Sequence, residues 1–141
     1  MKIQVVYTNS CKDTKLLAED MARYARTYAK PICKFDYNEC IDLLVIGFEE
    51  CLFKDKELCS FISSLTRDKV KNVALFNMFY FSENSMKKVI DLCHLYDLPL
   101  MRETYSCKKR KILPEKILSD DIISGGRIYV EDMINICNKY Y

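Results

Sequence analysis

Hydrophobic positions fall along this chain in two rhythms, short continuous runs and stripes spaced three and four residues apart. The run Ile3-Gln4-Val5-Val6-Tyr7 is β-branched and aromatic and reads as a buried strand. After a polar loop, Leu17, Met21, Tyr24 and Tyr28 share one helical stripe with Ala18, Ala22 and Ala25 beside it. Lys30-Pro31 ends that helix, and Cys33 to Tyr37 alternates as an edge strand would. Ile41 to Ile46 is nearly all apolar, suits a strand covered on both faces, and is closed by Gly47. Leu58, Phe61, Ile62 and Leu65 mark a second helix. Val73 to Phe76 is another buried strand, running on toward Phe81. Ser82 to Ser85 supplies caps for a helix with Met86, Val89, Ile90 and Cys93 inside. Leu98-Pro99 breaks that helix before a weaker strand, Leu100 to Tyr105. A short helical piece is expected from Pro114 to Leu118, and Ser124-Gly125-Gly126 punctuates the chain before a last helix carrying Val130, Met133, Ile134 and Cys137.

The resulting order, β-α-β-β-α-β-α-β-α, predicts an α/β fold with a parallel sheet and helices on both faces. One step does not close. Only a few residues separate the second strand from the third, too few for a parallel crossover between neighbours. The second helix is therefore short or absent, and the stretch 30–40 is partly irregular or returns across the end of the sheet.

Composition narrows the classes. The chain has 141 residues, half of them hydrophobic and 30% charged, so a single ordered domain over 1–141 is expected. A net charge of +2 gives no argument for nucleic acid or an anionic membrane. No apolar run nears the ~20 residues of a membrane span, and no signal peptide is visible, which points to a soluble cytoplasmic protein. The eight cysteines include no CxxC pair, so reduced and mostly buried thiols are the plain reading.

The chemistry gathers at the ends of the strands. A strand that feeds a helix through a polar loop aims N–H groups and a helix N-terminus at one point, which favours an anion. Thr8, Ser10 and Thr14 offer hydroxyls there, although such a turn is also an ordinary helix cap. In a doubly wound sheet four loops would meet: 8–14, 47–54, 77–82 and 105–109. Phe48, Phe53, Phe79, Tyr80 and Phe81 could supply flat apolar faces, or simply pack. Cys11, Cys51 and Cys107 could form a thiol or soft-metal site, but they lack short spacing. The run Lys108-Lys109-Arg110-Lys111 is either solvated or meets an acidic partner or a phosphate. His94 lies on the polar side of its helix.

These segments resemble the flavodoxin family over nearly the whole length. The family opens with a strand and a loop of the form T/S-x-T-G-x-T, and Tyr7-Thr8-Asn9-Ser10-Cys11-Lys12-Asp13-Thr14 stands in that place. Asp42 to Phe48 is similar to its third strand, with Gly47 beginning a flavin-flanking loop, and Val73 to Met78 to its fourth strand and second flanking loop. Tyr105-Ser106-Cys107-Lys108-Lys109 matches a later aromatic-x-Cys-x-Gly-Lys motif except for the glycine. The resemblance implies a three-layer, doubly wound, five-stranded parallel sheet of order 2-1-3-4-5 that binds FMN. It assigns the phosphate to Thr8, Asn9, Ser10, Cys11, Lys12, Asp13 and Thr14. The ring falls to Gly47, Phe48, Glu49, Asn77, Met78, Phe79 and Tyr80, with Cys107 nearby.

The departures are physical. Lys12 stands where the loop glycine would allow positive φ, at a cost of about 1–2 kcal/mol for a side chain. Asp13 adds negative charge beside a phosphate, which Lys12 and Lys15 could offset. Glu49 and Glu50 near the ring edge would disfavour an anionic reduced flavin. The expected function is an FMN-binding electron carrier serving a partner redox protein. Its rivals are a cofactor-free binding or scaffold subunit and, last, a small flavin-dependent reductase.

Overall fold

The computed structural model describes residues 1–8, 12–49, 56–79, 84–109 and 118–140. Its elements are β1 (Ile3–Tyr7), α1 (Lys12–Tyr24), β2 (Ala29–Pro31), β3 (Leu43–Glu49), α2 (Lys56–Ser64), β4 (Val73–Phe79), α3 (Asn84–Leu95), β5 (Leu100–Lys108) and α4 (Asp120–Tyr140). All five strands pair in parallel in the order β2-β1-β3-β4-β5. The chain moves outward from β1 to β2, then crosses to β3 on the other side of β1. The crevice at the carboxyl ends of β1 and β3 is thus the switch point of the sheet.

Strand alternation divides the core in two. Val5, Leu43, Val45, Ala74 and Phe76 face α1 and α4, where they meet Leu17, Met21, Val130 and Met133. Val6, Leu44, Ile46, Val73 and Leu75 face α2 and α3, where they meet Phe61, Ile62, Val89 and Cys93. Full burial of each such side chain contributes about 1.5–3 kcal/mol, which is why β1, β3 and β4 are apolar on both faces. No helix of the described residues is long and apolar enough to cross a membrane.

Four sequence expectations are corrected. First, α1 stops at Tyr24, and Tyr24 and Tyr28 are exposed rather than on its buried stripe. Arg26 takes a left-handed φ of 60°, and the Thr27 N–H donates to the Ala22 carbonyl at 2.8 Å, closing the helix end. Second, the edge strand is Ala29–Pro31, and Ile32–Lys34 is a 3-10 turn where a strand from Cys33 was expected. That shift releases residues 32–42 for the crossover. Ile32 and Phe35 are buried over the α2 face, and the Phe35 ring meets Phe61 edge-on at 5.2 Å. An irregular segment therefore covers the ground of the missing helix.

Third, Gly125 and Gly126 lie inside α4 instead of before it. A Cβ at Gly126 would sit 2.9 Å from Leu17 Cδ1, and one at Gly125 2.9 Å from Tyr105 Cζ. The glycines lose about 1 kcal/mol each in helix propensity, and the contact of α4 with α1 and β5 offsets it. Fourth, β3 continues through Gly47 to Glu49. Among the thiols, Cys93 and Cys137 are buried in their helices as expected, Cys59 is half-buried, Cys107 is buried, and Cys33 and Cys40 are exposed on the irregular crossover.

Gly47 pairs with Phe76 on the neighbouring strand, and that ring lies over the glycine. A Cβ on Gly47 would come within 2.6 Å of Phe76 Cε2. Gly47→Ala should therefore lower stability by about 1–3 kcal/mol, read by urea unfolding, and adding Phe76→Leu should recover part of the loss.

Candidate functional site

Polar groups gather near the carboxyl ends of the strands, from the ends of β1, β3 and β5 and from the start of α1. Thr8, just past β1, is 2% exposed, and its N–H donates to the Gly47 carbonyl at 3.1 Å. Thr14, in the first turn of α1, is fully buried. Its N–H is among those that a helix start leaves without an intrahelical acceptor. Glu49 ends β3 on the same face as Val45 and Gly47, and so points toward α1. There its Oε1 accepts from the Thr14 N–H at 3.3 Å and from Thr14 Oγ1 at 3.1 Å. A carboxylate of the chain itself thus occupies the helix N-terminus, where the partial positive charge favours an anion.

Beneath it lies a cation. Lys109 follows β5, and its N–H donates to the Phe79 carbonyl at 2.6 Å, extending the ladder by one residue. Two positions after the inward-facing Cys107, its side chain points inward as well. The Nζ is 2.9 Å from Asp13 Oδ2 and 3.6 Å from Glu49 Oε2. The three side chains are 5%, 1% and 13% exposed for Lys109, Asp13 and Glu49. Burial by itself would lower the Lys109 pKa, but the hydrogen bond to Asp13 and the charges of Glu49 and Asp13 outweigh it and hold it above its ordinary value. Formally the trio keeps one negative charge.

The residues expected to bind a cofactor fall into distinct groups. Asp13, Thr14 and Glu49 converge, and Thr8 is buried at the end of β1. Lys12 is exposed at the start of α1, away from the role of filling the seat. Phe48 and Met78 are each 1% exposed and packed in the core, so neither offers a face to a ring; Gly47 is covered by Phe76. Asn77 is still within β4 and fully buried, where its Nδ2 donates to Ser85 Oγ at 3.0 Å and its Oδ1 has no partner among the described residues. Phe79 is half-buried at the strand end. Cys107 is buried, its thiol donating to the Asn77 carbonyl at 3.4 Å and its pKa pushed up to about 12 by burial. Asn9, Ser10, Cys11 and Tyr80 lie outside the described residues, as do Glu50, Cys51, Phe53, Phe81 and 110–117. His94 is on the exposed side of α3.

The sequence offers Lys109 only as one of four basic residues, solvated or meeting an acidic partner or a phosphate, and does not single it out. The period-two alternation from Cys107 was the signal that could have found it.

Solved structures with this arrangement define the class of fold, a flavodoxin-like domain. A flavodoxin from the domain Archaea superposes with TM-score 0.71 at 13% identity, over 98% of this chain and 99% of that one. A short-chain flavodoxin associated with a non-canonical PDU bacterial microcompartment gives 0.73 at 10%, over 97% and 99%. The WrbA-like flavodoxin of Agrobacterium tumefaciens gives 0.71 at 12%, over 99% of both chains. No protein-family model and no curated protein matches the sequence.

The donor set fits a phosphate in kind. The hydroxyl of Thr14, a helix-start N–H and a buried ammonium meet at one place, and Glu49's carboxylate stands in for the anion.

Two outcomes follow from the charges. Lys109→Met leaves two buried carboxylates without their ammonium and should cost about 3–5 kcal/mol in urea unfolding at neutral pH. The high-pKa groups set the alkaline limit. Burial raises Cys93 from 9.0 to about 11 and Cys107 from 9.0 to about 12, so the folded chain keeps protons that the unfolded chain releases. Lys109, also raised, acts in the same direction. Stability should hold level from neutral pH to about pH 9 and fall steadily above it, as pH-dependent urea midpoints would show.

Proposed function

We propose that this protein is a flavodoxin-type electron carrier, binding FMN at the carboxyl edge of its sheet and exchanging electrons with a partner redox protein in the cytoplasm. The observation that carries the reading is the convergence of Thr14 and Lys109 on a point where the chain already holds an anion. The fold of the flavodoxins it resembles supports it. When bound, FMN supplies reversible one- or two-electron chemistry.

The chain's own part is binding and orientation. Thr14 would donate its N–H and hydroxyl to a phosphate oxygen, with the Thr8 hydroxyl beside it, and Lys109 would neutralise part of the charge. Asp13 holds Lys109 in place at 2.9 Å. Phe48 and Met78, sealed below, close the core under the site and exclude water from that side.

A second reading has its own observation. Because Glu49 satisfies the Thr14 donors, the same fold could serve as a cofactor-free binding or scaffold subunit. Titration of the purified protein with FMN separates the two. The carrier reading expects quenching of flavin fluorescence in the micromolar range or tighter and a visible band that dithionite bleaches. Protein that stays colourless at saturating FMN transfers the assignment to the scaffold reading.

A further inference from the structure

Resting on the FMN reading only for the identity of the ligand, we infer that Glu49 is a built-in competitor for the anion seat, and that a phosphate enters only as the Glu49 carboxylate leaves.

The geometry shows the competition directly. Oε1 takes both donors of Thr14, the N–H and the hydroxyl, so one oxygen fills what a phosphate oxygen would fill. Oε2 faces Lys109, the cation on which the phosphate charge would also fall. Both anions therefore call on the same groups and cannot be satisfied together. Adding a dianion with Glu49 in place would set it against two carboxylates and one ammonium. With Glu49 withdrawn, Lys109 and Asp13 remain as a neutral pair beneath the phosphate.

Glu49, rather than Asp13, is the group able to leave. Its side chain is 13% exposed and rim-facing, against 1% for Asp13. It ends β3, and its longer side chain has an extra rotatable bond. Asp13 is short and fixed on the first turn of α1. The apparent affinity for a phosphate is then the intrinsic affinity multiplied by the fraction of chains with Glu49 out. The effect acts on the phosphate alone, so a flavin lacking one escapes it. Glu49 is in this sense a specificity-determining residue: it sets how strongly the site distinguishes a phosphorylated ligand from its dephosphorylated form.

The test compares wild type, Glu49→Ala and Glu49→Gln against FMN, riboflavin and inorganic phosphate. Flavin affinities are read by fluorescence quenching, and phosphate by the shift of the Thr14 backbone amide in NMR spectra. Removal of the competitor should tighten FMN at least about tenfold in Glu49→Ala, a change of one decade in Kd. The neutral but similarly shaped Glu49→Gln should gain about threefold, which keeps the test open if the alanine variant folds poorly. Riboflavin should bind all three alike. Equal FMN affinity in wild type and both variants overturns the inference while leaving the carrier reading intact. If no form takes FMN, yet phosphate shifts Thr14 at lower concentration in the variants, the competitor stands and the carrier reading fails. Phosphate that moves Thr14 in none of them, or equally in all, overturns it.

Discussion

A single buried ammonium ties together the functional end of this molecule. Lys109 comes from the end of β5, Asp13 from the start of α1 and Glu49 from the end of β3, and the bonds from Thr14 to Glu49 join α1 and β3 a second time. Moving such charges out of water costs several kcal/mol per ion, and attraction at 2.9 and 3.6 Å returns that only while the geometry holds. A well-packed apolar trio could stabilise the fold equally well. What the charges add is direction, because an ammonium has partners at defined distances whereas a methyl group packs against any neighbour of the right size. The trio fixes where α1 begins relative to β3 and β5. That position is where the helix start can receive an anion.

The layers behind this edge are arranged so that it can exist. α4 lies close to α1 and β5 because Gly125 and Gly126 present no Cβ to Tyr105 and Leu17. Tyr105 in turn donates its hydroxyl to the Ile122 carbonyl at 2.9 Å, and Tyr129 donates to the Glu103 carbonyl at 2.8 Å. These bonds run between α4 and β5, near the carboxyl half of the strand that carries Cys107 and Lys109. β5 is held on its other side by the ladder to β4, and the Lys109 N–H to Phe79 carries that register on to the residue whose side chain reaches the ion cluster.

The order of elements was legible because apolar rhythm is set by burial, and burial here is nearly complete on both faces of β1, β3 and β4. Three residues, Ala29–Pro31, make up β2, too few to show any rhythm, and Pro31 reads as a terminator although an edge strand tolerates it. The end of α1 was illegible for a related reason: Arg26 supplies the left-handed turn where a glycine would have announced it. Glycines misled in the opposite direction at α4, since local propensity argues for a break and close packing decides otherwise. In the site, Thr8, Asp13 and Thr14 were visible from the strand-loop-helix pattern. Glu49 was visible as a residue but not in its role. Placing it on the α1 face required knowing that β3 runs past Gly47, and only then does it share a face with Val45. Lys109 was hidden by the basic residues around it.

How much of the site belongs to the fold and how much to this chain can be separated by asking what survives at about 10% identity. Parallel order with a switch between β1 and β3 places a helix N-terminus beside two strand ends whatever the side chains are, so attraction for an anion comes with the topology. The choice of anion does not. It depends on what stands within reach of the Thr14 donors, and here that is a carboxylate on a flexible side chain, backed by one ammonium that a second carboxylate already shares. These three groups together carry a single formal negative charge, and in the exchange proposed above a dianion is gained only by giving up a monoanion. The fold supplies the seat, and Glu49, Asp13 and Lys109 set the terms on which anything sits in it.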